Sequence, residues 1–140
     1  MKRLFKARPV VPGEAAGEAI VSKLPLSFKN NINTGTGEIT DKNHDLYGQC
    51  ITGRALVIPR GTGSCTGTGT ILEMVRQNTA PAAIICTQAE PVTAIGSVIA
   101  KALYGRGIPL YTLCTEDFES IMPGEMISVK EDGTVAVGQD

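Results

Sequence analysis

The chain has 140 residues, of which 42% are hydrophobic and 19% are charged, and its formal net charge is −1. This length suits one globular domain with its own core, so we expect a single domain over residues 1–140. The near-neutral charge gives no electrostatic reason to expect nucleic acid or a membrane as a partner. No apolar run approaches the ~20 residues that span a bilayer, and the basic start Met1–Lys6 lacks the apolar segment of a secretion signal. A cytoplasmic location is therefore predicted.

The first third of the chain has strand patterns and no helix pattern. Strands are predicted at residues 2–7 and 16–23, and the second ends before Pro25, which cannot join a central ladder. Residues 29–47 are polar and rich in turn residues, which predicts a long loop with one short strand at Glu38–Thr40. Because long loops on compact domains often carry function, this loop is a candidate wall of a binding site. Disorder is the alternative interpretation.

The rest of the chain alternates between strand and helix patterns. Alternation of this kind favours an α/β fold with some parallel strand pairing. With the N-terminal strands and a C-terminal hairpin, the expected architecture is a β/β/α sandwich, in which a partly barrel-like β layer has helices on one side. The predicted elements are strands 54–58, 82–87 and 109–113, helices 70–76, 92–103 and 115–122, and hairpin strands 125–130 and 134–137.

The helix predicted over residues 92–103 has apolar residues at about 3.6-residue spacing. This spacing is typical of a stripe that faces the core. The stripe consists of Val92, Ile95, Val98, Ile99 and Ala102. Gly96 lies within the same helix, where glycine costs about 1 kcal/mol relative to alanine, and it indicates close packing.

Residues 59–69, Pro-Arg-Gly-Thr-Gly-Ser-Cys-Thr-Gly-Thr-Gly, connect a predicted strand to a predicted helix. A glycine-rich turn of this kind aims several backbone N–H groups and a helix N-terminus at one point, which favours an anion. The spacing matches neither a Walker A loop, nor a dinucleotide fingerprint, nor a nucleophile elbow. Arg60 is the candidate carboxylate clamp, and Ser64 is the candidate for reaching the reacting carbon. Alternatively, Ser64 or Thr66 only caps the helix, which is worth ~1 kcal/mol.

The four cysteines contain no C-x-x-C pair, so the chain has neither the spacing of a zinc knuckle nor that of a redox dithiol. Cys50, Cys86 and Cys114 are expected to pack as small hydrophobes. Cys65 differs because it lies at the predicted helix start, where the helix dipole favours a thiolate. No metal site is predicted in this chain.

A set of motifs, in order and at consistent spacing, resembles the small subunit, or swivel domain, of the aconitase X family. The set covers the chain from about Gly17 to Leu113 and is more specific than any single glycine motif. It comprises Leu26-Ser27-Phe28, Thr36-Gly37-Glu38-Ile39-Thr40-Asp41, His44, Leu46-Tyr47-Gly48-Gln49, Gly53-Arg54, Arg60-Gly61-Thr62-Gly63-Ser64-Cys65-Thr66-Gly67 and Ala80-Pro81-Ala82-Ala83.

This resemblance implies a swivelling domain that docks on a separate large subunit, with the active site of a hydro-lyase at the interface. The large subunit would carry an iron–sulfur cluster, and this chain alone would bind none. Ser64 follows the glycine of a Gly-Ser-Ser-like loop, which is the position of the catalytic base in aconitase-like enzymes. Substrate contacts are expected from Arg60, Gly63, Cys65, Thr66, Ser27 and His44. The alternative for Ser27 and His44 is that each only orders its local turn.

Two activities are implied by the resemblance, namely dehydration of cis-3-hydroxy-L-proline and dehydration of phosphomevalonate, each a small hydroxy acid. The motif Gly63-Ser64-Cys65-Thr66-Gly67 resembles the hydroxyproline branch, so that substrate is preferred and phosphomevalonate is the alternative. Two functions of other classes stay open at this point. One is a phosphocarrier with His44 as the phosphorylated residue, and the other is an anion-binding module without catalysis of its own.

Overall fold

The computed structural model describes residues 2–28, 31–62, 66–89 and 91–138, and of Gly61, Thr62, Thr66 and Val92 it describes the backbone alone. Strands and helices follow one another as the sequence pattern predicts, with three further short strands, Arg8–Val11, Leu26–Ser27 and Gly61–Thr62. The elements are β1 (Arg3–Lys6), β2 (Arg8–Val11), β3 (Ala15–Val21), β4 (Leu26–Ser27), β5 (Ala55–Val57), β6 (Gly61–Thr62), α1 (Thr66–Arg76), β7 (Ala83–Cys86), α2 (Pro91–Tyr104), β8 (Leu110–Thr112), α3 (Thr115–Glu119), β9 (Met126–Val129) and β10 (Thr134–Val137).

One eight-stranded sheet organises the domain, in the order β1-β10-β9-β3-β5-β7-β8-β2. The four central strands, β3, β5, β7 and β8, pair in parallel, and the flanking pairs are antiparallel. The edge strands β1 and β2 are consecutive in the chain, with Ala7 alone between them. Because one residue cannot bridge the width of an open sheet, the sheet must curl until its edges meet. The predicted α/β fold with a partly barrel-like β layer is therefore confirmed.

Alternation along the central strands separates two hydrophobic cores. In β5, Ala55 and Val57 point into the barrel, and Leu56 points to the outer side. In β7, Ile85 points inward and Ile84 points outward. The inner core is closed by β9, β10 and α3, whereas the outer core is covered by α1, α2 and residues 26–51. Both faces of the parallel strands are thus buried, as parallel sheets require.

Helix α1 begins four residues earlier than predicted, at Thr66 rather than Thr70. The prediction was wrong because Gly67 and Gly69 have low helix propensity, and tertiary packing overrides that propensity here. The helix ends at Arg76, where Asn78 has φ 62 and the N–H of Thr79 donates to the carbonyl of Met74 at 2.9 Å. This left-handed C-terminal turn satisfies the last carbonyls of the helix.

Residues 31–52 form the loop that the sequence predicts, and they pack on the outer side of the sheet. Four apolar side chains anchor it in the outer core, namely Ile32, Ile39, Leu46 and Ile51. In place of the short strand predicted at Glu38–Thr40, two isolated bridges join Ile32 to Ile39 and Glu38 to Cys50. Thr79 Oγ1 donates to the carbonyl of Thr34 at 2.6 Å, which ties the loop to the end of α1. Residues 31–52 are therefore a packed part of the domain.

Helix α2 presents the opposite face to the core from the one predicted. Its buried residues are Thr93, Gly96, Ser97 and Ala100. The predicted core stripe points outward, with Ile95 51% exposed and Val98 57% exposed. Ile99 and Ala102 are also exposed, and the side chain of Val92 lies outside the described residues. The small residues win the inner position because α2 packs closely on α1, where a Cβ on Gly96 would lie 3.2 Å from three carbon atoms of Ile71.

The close packing of α2 on α1 makes a testable contrast between two helix glycines. Gly96→Val should lower the free energy of unfolding by about 1–3 kcal/mol, because the added methyl groups must displace Ile71. Gly69→Ala should raise it by up to ~1 kcal/mol, because a Cβ on Gly69 would meet nothing within 4 Å and alanine favours helix. Urea denaturation of both variants and the parent chain measures the difference. Equal stability of Gly96→Val and the parent would show that the two helices are not in this contact.

Candidate functional site

The predicted catalytic loop is held at both ends by regular structure. On its N-terminal side, β6 pairs in parallel with β4, so that Ser27 lies opposite Thr62. The N–H of Leu26 donates to the carbonyl of Arg60 at 3.1 Å, which extends the pairing by one residue. On its C-terminal side, Thr66 is the first residue of α1. Two sequence-predicted site residues, Ser27 and Thr66, are therefore brought to this segment.

Three predicted site residues, Gly63, Ser64 and Cys65, lie outside the described residues. They occupy the three positions between the end of β6 and the start of α1. The described elements on either side of them are β6, which pairs with β4, and α1, whose first residue is Thr66 and which follows a strand of the parallel sheet. Ligands of open α/β sheets bind outside the carboxyl edge of the parallel strands, and α1 directs its backbone N–H groups to that edge.

Arg60 places a positive charge next to the same segment. Its side chain is exposed, and it makes no hydrogen bond or ion pair with any residue that the structure describes. Structural arginines normally use their five donors on protein acceptors. A guanidinium left unpaired beside a helix N-terminus is available to an anion, and a carboxylate matches its geometry in a bidentate manner.

An open crevice of about 740 Å³ lies at the carboxyl edge of the parallel strands. Its walls come from the residues that follow four of these strands, including Ser22, Pro59, Thr87 and Thr115. Pro59 directly precedes Arg60, so the crevice adjoins the predicted catalytic loop. Its size is that of a small-molecule site. A smaller neighbouring cavity of about 380 Å³ shares Val21 and Asp45 with it.

A hydrogen-bonded cluster on this edge was not predicted from the sequence. Ser22 Oγ donates to Asp45 Oδ1 at 2.6 Å, and the N–H of Leu24 donates to Ser22 Oγ at 2.9 Å. Asp45 Oδ1 also lies 3.1 Å from His44 Nδ1. Ser22 and Asp45 both line the 740 Å³ crevice. The position of Ser22, a polar residue directly after the buried strand β3, could have indicated a role for it from the sequence. Asp45 lies 23 positions away, and no local sequence pattern connects it to Ser22.

Of the three predicted site residues whose side chains the structure describes, Ser27, His44 and Arg60, only His44 is buried. Its side chain is 4% exposed, and Nδ1 accepts the N–H of Leu46 at 3.1 Å. With Nδ1 as acceptor, the neutral ring carries its proton on Nε2. Within the described part of the chain, Nε2 is buried and has no hydrogen-bond partner. A buried donor without a partner costs about 1–3 kcal/mol of stability. A hydrogen-bond acceptor placed next to Nε2 would remove that cost.

The burial of His44 weighs against the phosphocarrier alternative. Phosphoryl transfer needs a ring nitrogen that a donor enzyme can reach. Here Nδ1 is occupied by the turn and Nε2 is closed to solvent. The chain therefore offers no accessible imidazole nitrogen at position 44.

The described cysteines lie in different environments. Cys86 is buried at the end of β7, as predicted, and burial raises the pKa of its thiol to about 11. The prediction was wrong for Cys50 and Cys114, which are exposed. Cys114 follows the inward-pointing Leu113 at the end of β8, and the next residue of an extended chain points the other way. Cys50 lies in the surface loop, where its Sγ donates to the carbonyl of Thr36.

No three cysteine, histidine or acidic side chains converge within the residues that the structure describes. Fe–S clusters in proteins are held by sets of cysteine thiolates. A buried thiol at position 86 with a raised pKa also resists the deprotonation that ligation needs. The described part of the chain thus supplies no ligand set for such a cluster.

The burial of Cys86 and the raised pKa of its thiol predict an order of alkylation. At pH 8 about one in a thousand Cys86 thiols is ionised, because its pKa is about 11. Iodoacetamide should therefore label Cys50 and Cys114 long before Cys86 in the folded chain. The residual rate at Cys86 should rise about tenfold per pH unit up to its pKa. Peptide mass spectrometry against time measures the three rates, and fast labelling of Cys86 in the folded chain would contradict its burial.

The aconitase X swivel domain profile matches residues 4–137, nearly the whole chain. The chain belongs to the aconitase X swivel domain family. Its structure superposes on a chain of the crystal structure of Thermococcus kodakaraensis aconitase X, holo-form, with a TM-score of 0.87 and 37% sequence identity. The superposition covers 98% of this chain and 99% of that one. The predicted family and the predicted swivel fold are thereby confirmed.

Curated relatives of this aconitase X domain have two different names. The phosphomevalonate dehydratase small subunit of Methanothermobacter thermautotrophicus is 40% identical over 85% of this chain and 86% of its own length. The cis-3-hydroxy-L-proline dehydratase of Hypocrea jecorina is 35% identical over 96% of this chain, but the match covers 22% of its own length. The chain thus spans about a fifth of the hydroxyproline enzyme and most of the small subunit.

No helix in the described residues is long and apolar enough to cross a membrane.

Proposed function

We propose that the chain is the small subunit of a two-subunit aconitase X dehydratase and that Ser64 is its catalytic base. The observation that carries the proposal is that β6, paired with β4, and the start of α1 flank Ser64 in sequence, in a chain that matches the family profile over residues 4–137. Names of relatives as small subunits support a larger polypeptide as the partner.

Dehydration of a β-hydroxy acid needs a base for the proton on the carbon next to the carboxylate. The electron pair of that C–H bond forms the double bond to the neighbouring carbon, and hydroxide leaves from there. Ser64 takes the proton in this proposal. Arg60 binds the carboxylate, which also stabilises the negative charge that develops on it as the proton leaves.

The chain alone cannot make Ser64 a strong base. A serine hydroxyl is a weaker acid than tyrosine, whose pKa is ~10, so ionising it near pH 7 costs more than ~4 kcal/mol. A helix N-terminus such as that of α1 supplies ~0.3–2 kcal/mol. The difference must come from groups outside this chain. We therefore propose that the isolated subunit is inactive, that the large subunit completes the site, and that an iron–sulfur cluster resides there.

The substrate proposed first is cis-3-hydroxy-L-proline, because Cys65 beside Ser64 resembles the hydroxyproline branch of the family. Phosphomevalonate is the second candidate, and sequence identity favours it. Small subunits of phosphomevalonate dehydratases from Pyrococcus furiosus and Thermococcus gammatolerans are 44% and 43% identical to this chain. The hydroxyproline enzyme of Pseudomonas aeruginosa is 37% identical. Both substrates are hydroxy acids, so Arg60 and Ser64 keep the same roles with either.

His44 completes the proposed substrate site from the side of the 31–52 loop. Its Nε2 is buried and has no hydrogen-bond partner among the described residues, so in this proposal a substrate oxygen reaches it only after the side chains that cover it move as the site is assembled. Its Nδ1 is already used by Leu46, which fixes the orientation of the ring. The two ring nitrogens thus have separate roles, one in the turn and one toward the substrate.

Ser64→Ala is expected to lower kcat of the reconstituted complex by about 10²–10⁴-fold, because no other group replaces the base. The assay uses this chain purified with its large subunit and offers cis-3-hydroxy-L-proline and phosphomevalonate in parallel. Ser128→Ala, a serine in β9 away from the carboxyl edge, is the matched control and should keep parental kcat. Full activity of Ser64→Ala on both substrates, or parental turnover by the isolated small subunit, would refute the proposal.

Two isosteric substitutions separate the two nitrogens of His44. His44→Asn keeps an acceptor near the Nδ1 position and loses Nε2, so KM should rise about tenfold with the thermal midpoint unchanged. His44→Gln keeps a donor near Nε2 and loses the acceptor for Leu46, so it should lower the thermal midpoint with little change in KM. Steady-state kinetics and thermal unfolding of both variants measure the split. If His44→Asn keeps the parental KM, His44 does not contact the substrate and only orders its turn.

A further inference from the structure

Helix α2 turns its small residues toward the core and its large apolar residues toward solvent. The inner face of small residues packs on α1 and the sheet. The outer face, which we call the α2 stripe, consists of Ile95, Val98, Ile99, Ala102 and Leu103. Leu103 is 63% exposed, and Val98 is 57% exposed. A helix normally buries its large apolar side chains, whereas α2 exposes them.

Charge is sparse along this helix. Lys101 is the one charged side chain between Pro91 and Tyr104, and it lies in the last turn, at the flank of the stripe. At 14 residues and about 1.5 Å per residue, α2 is ~21 Å long, and the stripe runs from its second turn to its end. Contiguous exposed apolar surface of this kind marks an interaction site, and the lack of charge is typical of a permanent interface.

The helix that carries the stripe lies next to β6, which leads into the proposed substrate site. Helix α2 begins at the carboxyl edge of the sheet, five positions after the end of β7. A polypeptide that closes the site over Arg60 and Ser64 therefore has α2 as the neighbouring surface on which to rest.

The matched relatives indicate what kind of molecule covers this surface. In the cis-3-hydroxy-L-proline dehydratases of Hypocrea jecorina and Pseudomonas aeruginosa, the matching region makes up 22% and 19% of one longer chain. Relatives that match along most of their length have names that make them small subunits. The domain thus occurs either fused to, or named as the companion of, a larger polypeptide.

We propose that the α2 stripe is the apolar docking surface for the large subunit of the same dehydratase. This inference rests on the proposed function and adds to it the face of the domain on which the subunits meet. The matching surface on the large subunit is apolar, with an acidic group near the end of α2 that carries Lys101. Docking there covers Val98 and Leu103 and brings the large subunit to the edge that contains Arg60.

The test is a binding titration between this chain and its large subunit, with charged residues placed in the stripe. Ile95→Asp and Val98→Asp should each raise the dissociation constant at least tenfold, and saturating large subunit should restore kcat because neither residue contacts substrate. The free variants should keep the parental thermal midpoint, since both side chains are exposed in the free chain. Leu4→Asp, at a 68% exposed leucine of β1, is the matched control and should bind as the parent does.

Each result has one meaning. If both stripe variants bind the large subunit within twofold of the parent, the docking surface is elsewhere and this inference is wrong. If the substitutions change only the sedimentation of the free chain, the stripe joins two copies of this chain, which also overturns it. If the parental chain neither binds the large subunit nor supports turnover of either substrate, the proposed function itself fails.

Discussion

The contact between α1 and α2 determines how the rest of the surface is arranged. At Gly96 the second helix has no side chain, so it approaches Ile71 of the first helix closely. At the next residue, Ser97 Oγ accepts the N–H of Ile108 at 2.7 Å, which attaches α2 to the chain that enters β8. These two contacts fix the rotation of α2 about its own axis. Every large apolar side chain that does not fit the narrow inner face has to lie on the outer one.

The same packing positions the chemistry. Because α1 is fixed by α2 on one side and by the outer core below it, its first residue, Thr66, stays at the carboxyl edge of the sheet. The pairing of β4 with β6 fixes the other end of the loop beside Ser27. The segment proposed to be catalytic is thus three residues long and is flanked by packed elements at both ends, which suits the precise positioning that a proposed base requires.

Much of the fold follows from local patterns in the sequence. The alternation within strands such as Ala55–Val57 and Ala83–Cys86, and the order of strands and helices, predict the α/β class and its parallel pairing correctly. The rotation of α2 does not follow from the sequence pattern. Neither side of this helix is marked by charge apart from Lys101, and periodicity alone predicts that the face with the larger apolar residues is buried. The pairing of β4 with β6 joins dipeptides 35 positions apart, and no periodicity exists in two residues.

The site is predictable in a different way. Motif order leads to the Arg60–Thr66 segment, and the structure fixes both of its ends, while the role of Ser64 stays a prediction. His44 is found by the same motifs, but its buried Nε2 and its link to Leu46 need coordinates. Ser22 and Asp45 show what sequence patterns cannot predict, because their hydrogen bond depends on how the 31–52 loop folds back onto β3.

Three groups without a partner among the described residues differ in chemistry, and each is available to something outside the chain. The Arg60 guanidinium needs an anion, the buried Nε2–H of His44 needs an acceptor, and the α2 stripe needs an apolar cover. A free-standing domain gains nothing from any of them, since an orphaned donor and an exposed apolar face both cost free energy. In a divided enzyme a substrate carboxylate and a second polypeptide satisfy all three together. In this proposal the apolar stripe supplies binding free energy between the subunits, and Arg60 and His44 interact with the substrate. This division of roles explains why the proposed base sits on a small domain that cannot ionise it alone.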